Sequence, residues 1–185
     1  MSIAAVETHR WTREEYERMA EAGLFPPDRR VELVDGIVYD MTPQNSRHAT
    51  AVRLVEEALR LIFPRGYDVR VQMPLTLDPD SQPEPDVAVV RGATRDFRDA
   101  HPTAAVLVVE VADASLGHDR RRKAPLYARS GVPELWIVDL RRSLVEVYRE
   151  PDGAAYRSVA ALGRGDSVLP SAAQGPPLPV ADLLP

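Results

Sequence analysis

Three short segments constrain this chain more than anything else in it. Asp86 to Val90 and Ala104 to Val111 are continuous apolar runs, and Glu134 to Asp139 is a third segment of the same kind. Runs of this length without polar alternation are the pattern of strands buried on both faces. Such a sheet needs helices to cover it. An amphipathic helix is expected from about Asn45 to Phe63, where Val52, Val55, Ala58, Leu59 and Ile62 fall at helical spacing and Pro64 and Gly66 end the run. A second helix is expected from about His118 to Ser130, stopped by Gly131. The order is helix, three strands, helix, strand, with a hairpin before and after. That order implies an α/β fold around a mixed central sheet.

The flanking segments carry clear local signals. Thr12 to Ala22 reads as a short helix, with Thr12 and Glu15 as a capping box and Gly23 as the stop. Val31 to Met41 reads as a hairpin around Asp35-Gly36, a type I′ turn signal. Tyr67 to Leu77 is expected to be a strand that bends, or lies at an edge, at Pro74. Leu144 to Arg149 and Ala155 to Ala160 read as a polar hairpin around Asp152-Gly153, and a short strand is expected near Ser167 to Leu169. A length of 185 residues suits one domain. Within it, 1–44 is the N-terminal helix and hairpin, 45–139 the core, and 140–185 the C-terminal hairpin and an irregular tail.

Composition removes several classes of function. The absence of cysteine excludes disulfides and thiolate metal sites, and it fits a reducing, cytoplasmic setting. Met1 to Tyr16 has no apolar core of signal-peptide length. The longest apolar run, Ala104 to Ala112, is broken by Glu110 and is too short to span a bilayer, so no membrane association is expected. A net charge of −5 argues against an avid, non-specific nucleic-acid coat. It does not exclude a nuclease, because a metal site that gathers carboxylates is acidic until the metal binds. Arg120, Arg121, Arg122, Arg141 and Arg142 are available for phosphate contacts or for a solvated surface.

The carboxylates on the buried strands are the first candidates for chemistry. Asp86 opens one strand and Glu110 lies near the end of the next. If the two pair antiparallel, both acids reach the same end of the sheet. Carboxylates gathered at a core edge repel and resist burial, and a hard cation such as Mg²⁺ or Mn²⁺ relieves both problems. Asp86 could instead be a turn residue, but a glutamate within Val-Val-Glu-Val is poorly explained as free surface.

Lysine usage points the same way. Of 23 basic residues, 22 are arginine, and the one lysine is Lys123, four residues after Asp119. An ammonium is a compact point charge and can do what guanidinium cannot in a tight site. The alternative is an exposed helix residue.

Taken in order, these segments resemble the PD-(D/E)XK nuclease superfamily, and in particular its Uma-two branch of restriction-endonuclease-like proteins. The matching stretches are Val31-Glu32-Leu33-Val34-Asp35-Gly36, His48, Pro85-Asp86-Val87-Ala88-Val89 and Leu107-Val108-Val109-Glu110-Val111. Asp119, Lys123, Tyr127-Ala128, Gly131-Val132-Pro133-Glu134 and Trp136-Ile137-Val138-Asp139 continue the series.

The resemblance implies a restriction-endonuclease-like core and a Mg²⁺- or Mn²⁺-dependent endonuclease acting on DNA as a homodimer. It implies Asp86 and Glu110 as metal ligands and Lys123 as the residue that assists the attacking water. Glu32 completes the site in that reading or is an exposed strand residue, and Asp119 shares the helical face of Lys123 and can orient it. His48 is a candidate base or phosphate contact, or a structural histidine. Asp113 is a third acid near the metal or a solvent-facing one.

Two departures stand out. The lysine position of the usual superfamily pattern, two residues after the glutamate, is Ala112. Pro125 falls inside the second helix, where it should kink the chain. The competing reading is a non-catalytic binding or assembly module on the same fold.

Overall fold

In the computed structural model, residues 8–185 are described; residues 1–7, the first part of the stretch read for a targeting signal, lie outside them. The chain begins with α1 (Arg13–Glu21), β1 (Val31–Val34), β2 (Ile37–Asp40) and α2 (Ser46–Ile62). Strands β3 (Tyr67–Val71), β4 (Val87–Arg91) and β5 (Leu107–Ala112) follow. A helical segment comes next, made of α3 (Leu116–His118), a π turn (Asp119–Lys123) and α4 (Ala124–Arg129). The chain ends with β6 (Glu134–Asp139), β7 (Leu144–Asp152), β8 (Ala155–Gly163), β9 (Ser167–Val168) and β10 (Leu178–Pro179).

The central sheet has six strands in the order β3-β4-β5-β6-β7-β8. Its pairings are antiparallel except β5 with β6, which are parallel. A parallel pair needs a crossover, and the α3–α4 segment supplies it. The C-terminal hairpin is therefore not an appendage: β7 and β8 extend the core sheet.

Side chains alternate across the sheet, so each buried strand feeds two cores. Val87, Val89, Val109, Val111, Trp136 and Val138 face α2, meeting Val52, Val55 and Leu59. Ala88, Val90, Val108, Ala112, Leu135 and Ile137 face the other way and meet Ala124 and Tyr127. This explains why the strands read as unbroken apolar runs.

The local signals fold as their chemistry dictates. Thr12 and Glu15 form the capping box of α1, and the Asn45 side chain caps α2 by accepting from the His48 N–H at 2.9 Å. Asp35 and Gly36 take positive φ, as a type I′ turn requires.

Three boundaries differ from expectation. The strand from Tyr67 stops at Val71, because Gln72 turns with φ 52° and its N–H donates to the Asp86 carbonyl at 3.1 Å. The β7–β8 turn is Gly153-Ala154, since Asp152 pairs with Ala155, and Gly153 supplies the positive φ. The second helix starts earlier, at Leu116, and is interrupted by the π turn. Among the described residues, no helix is long and apolar enough to cross a membrane.

Leu59 sits fully buried between α2 and the sheet. Leu59→Ala is expected to cost about 2–5 kcal/mol of unfolding free energy, as large-to-small core changes do; equilibrium denaturation in urea measures it.

Candidate active site

The register of β4 and β5 decides where the acids go. Val87 pairs with Val109, so Asp86, just before β4, lies at the strand end where Glu110 lies on β5. The Asp86 carboxylate accepts the N–H of Val111 at 2.8 Å, which ties it to β5 beside Glu110. Hairpin β1–β2 brings Glu32 to the same place from a different part of the chain. One oxygen of Glu32 accepts the N–H of Glu84 at 3.0 Å.

Lys123 arrives from the crossover helix. Its ammonium is 3.0 Å from Glu32 and 3.2 Å from Glu110, with the lysine side chain only 6% exposed. The proline does not misplace it. A π turn carries one more residue per hydrogen-bonded ring than an α turn, and Ala124 N–H donates to the Asp119 carbonyl across it. Pro125 then falls in the first turn of α4, where a missing N–H is tolerated. The expected kink is thus a π turn, and it carries both Asp119 and Lys123 into the interior. Ala112 sits on the same face of β5 as Glu110, under Ala124 and Tyr127. Its methyl leaves room for the helix, and Lys123 reaches the acids from there.

Asp119 is buried but does not pair with the ammonium. Its carboxylate accepts instead from the Ser115 hydroxyl at 2.7 Å, which revises the expectation that it orients Lys123 directly. His48 is close: its Nε2 lies 3.3 Å from Asp86, while its Nδ1 is buried without a hydrogen-bond partner among the described residues. Asp113 stands further out, at the mouth. It accepts from Asn45 at 2.8 Å and faces Arg141 at 3.5 Å. Glu84 is a wall residue paired with Arg30 at 2.8 Å, and Trp136 is core.

Sequence reasoning gave no role to two side chains in this neighbourhood. Tyr127 is fully buried and donates its hydroxyl to Glu110 at 2.6 Å. It lies four residues beyond Lys123, so extending the Asp119–Lys123 face by one turn would have found it. His118 borders the same cleft, with its ring edge-on to Tyr39 and its Nε2 3.9 Å from Glu32. Nothing in the sequence marks it, because its neighbour Tyr39 belongs to the hairpin.

The electrostatics follow from four carboxylates sharing one ammonium. Burial, reinforced by Asp119, Asp86 and Glu32, pushes the Glu110 carboxyl well above the usual carboxylate range, although Lys123 opposes this. Burial also raises Asp119 to about 6, again against the pull of Lys123. For Lys123, burial disfavours the charge, but Glu110, Glu32, Asp119 and Asp86 outweigh it and the pKa rises. The net direction for Lys123 favours the ammonium form. Burial disfavours the charged form of His48, but Asp86 outweighs it and the net shift is upward; burial and then Lys123 lower His118.

Asp86 and Glu110 are the residues that could hold a divalent cation. Glu110 Oε1 is engaged by Tyr127 and Lys123, but no described residue hydrogen-bonds its other oxygen. Asp86 Oδ2 is held by Val111, while Oδ1 receives only a long contact from Gln72, at 3.3 Å. Among the described residues, no group of three His, Asp or Glu forms a ready metal cage. A site of two carboxylates would leave the remaining positions to water, as Mg²⁺ prefers. The residues surround a cleft of about 290 Å³.

A family model described as "Uma2: Putative restriction endonuclease" matches residues 13–181. Among solved structures, the fold is similar to that of a putative nuclease belonging to DUF820 from Anabaena variabilis ATCC 29413. The TM-score is 0.73 at 16% identity, over 93% of this chain and 96% of that one. At this identity the likeness is one of fold. No curated protein matches the chain.

The raised Asp119 carboxyl has a pH signature. Its folded value of about 6 exceeds the ordinary 3.8, so the folded state keeps a proton that the unfolded state has lost. Its stabilising contribution is complete below pH 3.8 and disappears as pH rises through about 6. In metal-free buffer, the stability of wild type relative to Asp119→Asn is expected to fall between these values, by about 1.4 kcal/mol for each step of one in pH. Denaturant unfolding across pH 4 to 7 in EDTA reads the difference directly.

Proposed function

The chain belongs to the Uma2 family, and we propose that it is an endonuclease that hydrolyses DNA phosphodiester bonds with Mg²⁺ or Mn²⁺. The observation that carries this reading is the placing of the chain's one lysine, as a buried ammonium, against the strand-end acid Glu110 and the hairpin acid Glu32. The family description and the likeness in fold to a nuclease support it.

Asp86 and Glu110 hold the cation. When bound, it polarises a phosphoryl oxygen and makes water a better nucleophile near neutral pH. Its charge also offsets the excess of buried carboxylates. The carboxylates around Lys123 favour its ammonium form, which suits a donor. With Glu32 and Glu110 taking two of its three N–H donors, its ammonium has one left to donate to the attacking water or to the oxygen on which negative charge develops. Glu32 fixes the ammonium from the side opposite Glu110, and Tyr127 fixes Glu110 through its hydroxyl. In the hydrolysis, water's oxygen bonds to phosphorus and releases a proton to solvent as the bond to the leaving alkoxide breaks, and the leaving oxygen takes up a proton from solvent. A homodimer is part of the same reading.

One observation favours a second reading. The ammonium already contacts two of the carboxylates, and no metal cage of three side chains exists among the described residues. A structural ion pair within a non-catalytic binding module would look the same. Metal binding separates the two, because a scaffold needs none.

Cleavage of a panel of DNA forms in Mg²⁺ or Mn²⁺ tests the hydrolytic reading. Glu110→Ala and Lys123→Arg are each expected to lower the rate about 100-fold or more, with folding checked by circular dichroism. Binding of Mn²⁺, followed by calorimetry, should strengthen as pH rises, because Glu110 must give up its proton. No cleavage together with no Mn²⁺ binding would leave the module reading.

A further inference from the structure

The cleft is small and roofed. Its volume of about 290 Å³ lies at the lower end of sites that hold one small molecule, roughly 300–1,000 Å³. The side chains of Glu32, Glu110 and Lys123 are only 4% to 6% exposed. The roof is the β1–β2 hairpin with the link that follows it, Met41 to Asn45.

That roof is not a free flap. Leu33 and Val34 are fully buried. The N–H of Gln82 donates to the Leu33 carbonyl at 2.8 Å, the N–H of Gly36 to Asp80 at 2.8 Å, and the N–H of Trp11 to Gly36 at 2.9 Å. Arg129 pairs with Asp35 at the hairpin turn. Lifting the hairpin would break all of these together and strip Glu32 from Lys123.

A duplex meets this geometry badly. It is stiff, with a persistence length of about 150 base pairs, so it reaches acids beneath the hairpin less readily than a flexible strand does. At the mouth, Arg30 pairs with Glu84 and Arg141 faces Asp113, whereas tight duplex binding neutralises about 6–10 phosphates. A single strand can bend and unstack. For it the cleft offers an aromatic wall, Tyr39, half-buried on the roof side and edge-on to His118 at 4.7 Å between ring centres. Aromatic side chains beside a backbone channel are how proteins hold unpaired bases without reading their sequence.

We propose that the substrate is single-stranded DNA, either a free strand or the unpaired part of a longer molecule. A phosphate reaches Lys123 and a neighbouring base packs on Tyr39. The inference rests on the hydrolytic reading above and narrows its substrate class.

The test uses one oligonucleotide sequence as a fluorescent single strand, as a blunt duplex and as a duplex with an unpaired overhang. Binding is measured by anisotropy with Ca²⁺, and cutting with Mg²⁺ or Mn²⁺. The single strand and the overhang are expected to bind at least about tenfold tighter than the blunt duplex, with cuts confined to unpaired DNA. Tyr39→Ala should weaken single-strand binding about fivefold or more, and Tyr39→Phe should retain it. Equal binding and cutting of the blunt duplex would overturn the inference while leaving the hydrolytic reading intact. Preferential single-strand binding without cutting of any form would overturn the hydrolytic reading and, with it, the assignment of a substrate. No binding of any form, or single-strand binding indifferent to Tyr39→Ala, would overturn the inference.

Discussion

The ammonium of Lys123 is the contact on which the rest of the cleft depends. It joins three elements distant in sequence: the N-terminal hairpin through Glu32, the buried strand β5 through Glu110, and the crossover helix that carries it. Without that charge, the interior would hold acids in excess with nothing to balance them. Removing one partner of a buried ion pair is costly because the other is left charged and unpaired. The pair is also incomplete on its own. Glu110 and Asp119 are still pushed toward protonation, which is the state of a site short of positive charge.

The way Lys123 gets there shows how local rules are bent for a site. An uninterrupted α-helix would meet Pro125 in its interior and lose a hydrogen bond. The π turn from Asp119 to Lys123 places the proline instead in the first turn of a fresh α segment. On the strand, Ala112 is a small residue in the same buried cluster as Ala124 and Tyr127, and the Tyr127 hydroxyl reaches Glu110. The lysine of the usual superfamily pattern is absent from the strand, and an ammonium beside Glu110 is supplied from the helix.

The hairpin serves two ends with one set of contacts. Its pinned base places Glu32 against Lys123, and its outer edge walls the cleft with Tyr39.

Much of this was legible in the order of the residues. Binary patterning gave α2 and β6, because a buried helix face and a doubly buried strand have distinct periods. Turn chemistry gave the Asp35-Gly36 hairpin, because few residues tolerate positive φ. The antiparallel pairing of β4 and β5 brought Asp86 and Glu110 together, and the solitary lysine flagged Lys123. What the sequence could not decide was long-range register and direction. That Glu32, rather than Asp119, takes the ammonium depends on how the hairpin docks across Gln82 and Asp80. Tyr127 and His118 gain their places from a π turn that a proline suggested only as a kink. Periodicity and turn residues act over a few positions and are readable locally. The partners of a buried charge are chosen by which distant elements the packed core brings within about 3 Å of it, and only the tertiary structure decides that.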